Sequence, residues 1–142
     1  MQVIKSTDSG ASRDGERNDC TVRALANATG VAYDAAHALA KHFGRPDRKG
    51  LFTHLAHDLY IAAGFKCLGT YGRSRRTAAI ARHRAVTNHS GMTLEKAMLM
   101  MQKGRFVVMV TGHALAVVDG KIIDKGHNAA GTRVTSIYKW QD

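Results

Sequence analysis

Two residues of this chain have the types and settings that nucleophilic catalysis by a thiol requires. Cys20 follows Asn18 and Asp19, which are common helix N-cap types, so the pattern predicts that the thiol lies in the first turn of a helix. Unpaired backbone N–H groups and the helix dipole favour the thiolate there, and the thiolate is the nucleophilic form. His113 begins an apolar strand directly after Gly112, and a polar side chain beside such an apolar run suggests a functional role. We therefore expect Cys20 and His113 to form a nucleophile–base pair.

A tight turn predicts which residue orients the histidine. Asp119-Gly120 is a strong hairpin signal, and a two-residue turn there sets the register. The predicted pairs across the hairpin are Val118 with Lys121, Val117 with Ile122, Ala116 with Ile123, Leu115 with Asp124 and His113 with Gly126. His113 and Asp124 then lie diagonally on one face, within reach of a carboxylate–imidazole hydrogen bond. Asn128 is the alternative third residue, but it lies beyond the hairpin in a loop.

Two blocks of the sequence resemble the papain-like cysteine peptidase superfamily. They are NDCTVRAL at 18–25, opening a helix, and GHALAVVDGK at 112–121, on a hairpin with Asp124 beyond it. The likeness is greatest to small bacterial and bacteriophage members, related to the peptidases that process double-glycine leaders. The resemblance implies a thiol hydrolase that cleaves a peptide, isopeptide or related amide bond without a cofactor. Cys20 is then the nucleophile, His113 the base and Asp124 the orienting residue of a Cys-His-Asp triad.

The sequence departs from that family at the oxyanion hole. The family has a glutamine six residues before its cysteine, and Asp14 stands at that position here. Asn18 is the candidate replacement, acting as a side-chain donor beside the Cys20 backbone N–H.

The elements that must position these residues follow from the apolar periodicity. The spacing predicts helices over about 20–29, from Tyr33 to Phe43, from Phe52 to Ala63, and after Thr93. Strands are predicted at 106–111, 113–118, 121–124 and 134–140, with a short strand possible at 65–68. The fold class is α+β, with N-terminal helices packed on a small C-terminal antiparallel sheet, the papain-like arrangement that the resemblance implies. We expect one domain over 1–142, with 1–17 as an irregular N-terminal arm.

A basic segment supports an alternative function. The chain has a net charge of +10, and the predicted poorly ordered segment 69–91 concentrates its arginines. Five of them could contact nucleic acid or an acidic partner: Arg73, Arg75, Arg76, Arg82 and Arg84. The alternative is therefore a non-catalytic basic binding protein that keeps the fold and binds through this Arg-rich face. A phage origin is compatible with this alternative.

Other classes of protein find no support in the sequence. The longest apolar runs are five residues, far short of a membrane span, and no secretory signal opens the chain, so a cytoplasmic location is expected, in the host if the chain is phage-encoded. Cys67 is expected to be a core thiol. His54 and His57 share a helix face but lack further ligands, so no metal site is predicted. The absence of a glycine-rich phosphate loop argues against nucleotide hydrolysis.

Overall fold

Helices and strands are mixed along the chain, in the α+β class that the periodicity predicts. The computed structural model describes residues 3–5, 19–45, 53–124 and 127–141. The helices are α1 (Cys20–Thr29), α2 (Tyr33–His42), α3 (Thr53–Ala62), α4 (Arg75–Arg84) and α5 (Leu94–Met100). The strands are β1 (Val3–Lys5), β2 (Phe65–Tyr71), β3 (Asn88–His89), β4 (Met92–Thr93), β5 (Arg105–Val110), β6 (His113–Val118), β7 (Lys121–Ile123), β8 (His127–Ala129) and β9 (Arg133–Trp140).

Helices α1, α2, α3 and α5 lie where the apolar stripes predict them. α1 begins at Cys20 and ends at Gly30, which adopts the left-handed conformation and donates its N–H to the carbonyl of Ala26. This is a standard glycine stop. α5 begins after Thr93, whose hydroxyl accepts the N–H of Lys96 at 3.4 Å. The C-terminal end of α1 and the start of α5 are therefore set by neighbouring residues.

The main sheet is larger and more mixed than predicted. Its strand order is β3-β2-β9-β5-β6-β7, with β4 also paired to β9. β2 precedes α4 in sequence and pairs with both β9 and β3, the latter in parallel. The expectation of a small, C-terminal and wholly antiparallel sheet is thus wrong. The apolar pattern predicted only residues 65–68 of β2. A register shift between Cys67 and Gly69 interrupts the alternation of its side chains between the two faces of the sheet.

Helices cover both faces of this sheet. On one face, α1, α2 and α3 pack on alternate strand residues that include Val107, Ala114 and Ala116. On the other face, α5 packs on the intervening residues, among them Leu115 and Val117. Because β5 and β6 are buried on both faces, their sequences are continuous apolar runs. This rigid double packing holds the start of β6 beside the first turn of α1.

The predicted disorder of 69–91 is also wrong, because α4 occupies its centre. Ser74 caps the helix by accepting the Thr77 N–H at 3.1 Å. Only Thr77, Ile80 and Ala81 are buried, so the apolar stripe is too narrow to stand out among arginines. Alanine and arginine are nevertheless good helix formers. An ordered basic helix therefore replaces the expected loop.

The N-terminal arm also contains some regular structure. β1 pairs antiparallel with β8, so the expectation of an irregular arm fails at residues 3–5. The rest of 1–17 lies outside the described residues. None of the described helices has the length and apolar character needed to cross a bilayer.

Candidate active site

Cys20 is the first residue of α1 and is half-buried. Its thiol is hydrogen-bonded to the His113 side chain and to the backbone of Ala114 on β6. Burial raises the pKa of Cys20, but these two hydrogen bonds, the charge of His113 and a contact from Thr21 outweigh it, so the pKa is lowered overall. The sequence pointed to the helix end as the source of this effect. In the structure, the groups that lower the Cys20 pKa are His113 and Ala114 of β6 and the side chain of Thr21.

The hairpin that carries His113 has the predicted turn and register. The ladder joins Val118 with Lys121, Val117 with Ile122 and Ala116 with Ile123. Asp119 and Gly120 both have positive φ, 49° and 80°, as a type I′ turn requires. The Asp119 carboxylate accepts the Gly104 N–H at 2.9 Å, which anchors the turn.

His113 and Asp124 meet as predicted. The Nε2 atom of His113 lies 2.7 Å from Oδ2 of Asp124, whose side chain is buried. Nδ1 is then the ring nitrogen left for the Cys20 thiol. The hydrogen bond to Asp124, followed by that to Cys20, raises the pKa of His113 to about 9. A raised imidazole pKa beside a lowered thiol pKa favours a thiolate–imidazolium pair at neutral pH.

The predicted hairpin register does not extend to the pair of residues nearest to His113. The β6–β7 ladder ends at Ala116 and Ile123, so the predicted pair of Leu115 with Asp124 does not form. Asp124 lies just beyond β7, where its Oδ1 accepts a hydrogen bond from Arg23 of α1. The carboxylate is thus held between Arg23 of α1 and His113 of β6. The predicted pairing of His113 with Gly126 involves a position outside the described residues.

Asn128 contacts the acid and not the imidazole. Its Nδ2 donates to Oδ2 of Asp124 at 3.3 Å. Of the two candidates for the third position, Asp124 is the one bonded to His113. Asn128 helps to hold that carboxylate in place.

Sequence reasoning missed a buried ionic chain behind the site. Nη2 of Arg23 lies 3.1 Å from Asp124 Oδ1, and Nη1 lies 3.9 Å from Asp19 Oδ1. The Tyr33 hydroxyl donates to the other Asp19 oxygen at 2.8 Å. Asp19 does not cap α1 with its side chain, contrary to its usual role. The available signal was Arg23 itself, a charged residue inside the apolar run 22–26.

A cleft of about 660 Å³ opens at the pair. Cys20 and His113 line it together with Thr111, Gly112 and, from α4, Arg76. Asn18, the predicted oxyanion donor, lies outside the described residues, as does Asp14. The other arginines of the basic segment do not line this cleft: Arg73, Arg75 and Arg82 are exposed, and Arg84 forms a two-point ion pair with Asp58.

The second thiol and the remaining histidines lie elsewhere. Cys67 is half-buried on β2, and its Sγ donates to the Gly69 carbonyl at 3.7 Å. His57 is buried, with Nδ1 2.8 Å from the Tyr138 hydroxyl. Within the described ranges, no group of three or more His, Cys, Asp or Glu side chains is arranged to hold a metal ion.

Comparison of the chain with protein-family models, with curated proteins and with solved structures gave no match. Arguments about function therefore depend on the geometry of the site.

Proposed function

We propose that this protein is a thiol hydrolase that cleaves a peptide, isopeptide or related amide bond, with Cys20 as nucleophile. The observation that carries the proposal is the continuous hydrogen-bonded series from the Cys20 thiol through His113 to the buried Asp124. Acyl transfer by a thiol needs these three functions: a thiolate, a proton carrier beside it, and an acceptor that orients the carrier. Cys20 and His113 line one cleft, and Asp124 is bonded to His113.

The chemistry runs in two halves. The Cys20 thiolate attacks the carbonyl carbon, the C–S bond forms, and the carbonyl π electrons move to oxygen. Collapse of that intermediate breaks the C–N bond, and the His113 imidazolium gives its proton to the leaving amine. Neutral His113 then takes a proton from water, which attacks the thioester and releases the acid and the thiolate.

The oxyanion is held in this proposal by the backbone N–H of Cys20. As the first residue of α1, Cys20 has no carbonyl four residues earlier within the helix to accept that N–H. Asn18 is proposed as the second donor. Replacing Asn18 with Ala is expected to slow hydrolysis by about 10²-fold, the usual loss for one donor, while alkylation of Cys20 stays unchanged.

We further propose that the α+β fold is papain-like. Three features of this chain support that assignment: the nucleophile begins a helix, the base begins a strand of an antiparallel hairpin, and the acid follows the base in sequence.

The direct test compares the two thiols. Iodoacetamide at neutral pH is expected to modify Cys20 at least about tenfold faster than Cys67, measured by mass spectrometry of each peptide. A library of fluorogenic peptide and isopeptide amides is then screened with the wild type and with Cys20→Ala, and Cys67→Ala is the matched control. Equal, slow labelling of both thiols would remove the chemical basis of the proposal.

The rival function is binding without catalysis through the exposed arginines of α4. Its support is that Arg73, Arg75, Arg76 and Arg82 are all exposed on or beside one ordered helix. Polyanion binding of this kind depends on phosphate contacts and falls steeply with salt. Neutralising Arg73, Arg75 and Arg76 together should then weaken retention on DNA and RNA at low salt. Unchanged retention by that variant would remove the main support for nucleic-acid binding.

A further inference from the structure

The basic helix and the thiol share one cleft. Arg76 is the second residue of α4, and its side chain forms part of the wall of the cavity that holds Cys20 and His113. Arg75, the preceding residue, lines neither this cavity nor its neighbour. The tertiary structure thus singles out one arginine of the basic segment. No spacing in the sequence marks Arg76 apart from the other arginines.

A second cavity continues from the first along the same helix. It has a volume of about 350 Å³, lies between α3 and α4, and shares Thr53 and Arg76 with the cleft. Its other polar lining comes from His54, His83 and Arg84. Its floor is apolar, formed by Ala79 and Ile80. Because Arg76 belongs to both cavities, a ligand that extends from Cys20 along α4 passes this guanidinium.

Among the charged side chains that line the two cavities, cations outnumber carboxylates. Arg23, Arg76 and His113 face the first, and its one lining carboxylate, Asp19, accepts from Tyr33 and lies beside Arg23. No carboxylate lines the second cavity. Guanidinium groups bind carboxylates with directed, charge-assisted hydrogen bonds, and imidazoles can donate one more.

We infer, on the basis of the proposed function, that the substrate is an acidic peptide or isopeptide, with a carboxylate near the cleaved bond held by Arg76. The cavity between α3 and α4 then receives the next part of the same chain, whose acidic groups meet its basic rim. A peptide meets both requirements of the site, since it supplies an acyl carbon to the thiolate and carboxylates to Arg76. A nucleic acid supplies negative charge but no amide bond between its units.

A pair of small probes tests the role of Arg76 without knowledge of the substrate. Iodoacetate and iodoacetamide alkylate the same sulfur and differ in charge. The ratio of their rate constants at Cys20 is expected to fall about threefold to tenfold in Arg76→Gln, because one nearby cation is lost from a partly screened cleft. Arg75→Gln is the matched control, and its ratio should equal that of the wild type.

Peptide protection then tests the substrate class. Hexaglutamate capped at both ends should slow iodoacetamide labelling of Cys20, whereas capped hexaglutamine should not. The protection should weaken in Arg76→Gln and at high salt and should persist in Arg75→Gln. Protection by an oligonucleotide but not by hexaglutamate would overturn the assignment to a peptide.

The two proposals fail in different ways. If Cys20 reacts no faster than Cys67 with neutral iodoacetamide, the proposed hydrolase is wrong. If Cys20 reacts rapidly and the iodoacetate preference is the same in the wild type, Arg76→Gln and Arg75→Gln, the hydrolase proposal stands and the acidic substrate is wrong.

Discussion

Two sets of a thiol and a histidine occur in this protein, and the pKa shifts in one set are opposite in direction to those in the other. At the cleft, Cys20 bonds to His113, the pKa of the thiol is lowered, and that of the imidazole is raised to about 9. In the interior, Cys67 and His57 both contact the Tyr138 hydroxyl. There burial raises the pKa of Cys67 and lowers the pKa of His57, so both groups are kept neutral.

The difference lies in the third member of each set. Asp124 bonds His113 directly and supplies a negative charge that stabilises the imidazolium. Tyr138 is a neutral hydroxyl whose own pKa is raised, chiefly by burial, so it offers His57 no charge. Both thiols are half-buried, and burial alone would raise the pKa of each. In this protein the lowered thiol pKa belongs to the cysteine whose histidine is hydrogen-bonded to a buried carboxylate.

The largest expected effect comes from removing His113. In His113→Ala the Cys20 pKa should rise, because burial remains while its main stabilising partner is lost, and alkylation at pH 7 should slow by roughly ten- to a hundredfold. Iodoacetamide kinetics at each thiol measure this. His57→Gln is the matched change in the interior set, and it should leave the rates at both thiols nearly unchanged. A similar loss at Cys20 in both variants would mean that general packing, and not the His113 contact, sets its reactivity.

Replacing Asp124 with Asn should reduce both reactivity and stability. Without the carboxylate the His113 pKa falls, and labelling of Cys20 at pH 7 should slow by about tenfold, which corresponds to one pKa unit. Arg23 also loses its buried partner, and breaking such a pair costs about 3–5 kcal/mol of unfolding free energy. Urea denaturation measures the second effect.

A double variant separates these two effects. Arg23→Met with Asp124→Asn removes both charges of the Arg23–Asp124 pair, while Asp19 keeps its hydrogen bond from Tyr33, so part of the unfolding free energy should return. The Cys20 rate should stay low, because His113 still lacks its acceptor. Recovery of the rate together with stability would show that Asp124 acts only through the fold.

The pH dependence of hydrolysis should show both titrations. The rate of hydrolysis should rise as Cys20 loses its proton, at a pH below the ordinary thiol pKa. The rate should fall again as His113 loses its proton near pH 9, because the leaving amine then receives no proton. In Asp124→Asn the alkaline limb should move to lower pH. Alkylation should rise with the first titration but should not fall with the second, since it needs no proton from His113. For Cys67 the midpoint of the rise in alkylation rate should lie above the ordinary thiol pKa.

The smallest effect is expected at Asn128. Its single hydrogen bond to Asp124 is 3.3 Å long, and Arg23 still holds the other oxygen of that carboxylate. Asn128→Ala should slow Cys20 labelling by less than about fivefold, the range of one ordinary hydrogen bond. A loss equal to that of Asp124→Asn would instead make Asn128 the residue that orients the site.

Local signals determined most of the site. The stop at Gly30 and the turn at Asp119-Gly120 each depend on a few neighbouring residues, so they can be recognised without the rest of the chain. The turn also fixed the three pairs of the β6–β7 ladder. The contact of His113 with Asp124 was predicted from that hairpin, but in the structure Asp124 lies beyond the ladder and is also held by Arg23.

Only the tertiary structure decided what surrounds those residues. Arg23, Asp19 and Tyr33 are joined through contacts between helices and the end of the sheet, and periodicity carries no information about such contacts. The position of α4 likewise depends on its packing against β2 and β3 through a narrow buried stripe. Its arginines look alike in sequence, yet packing brings Arg76 to the thiol cleft and leaves Arg75 outside it. The net charge of this protein follows from its composition, but the fold decides which arginine reaches the cleft of Cys20 and His113.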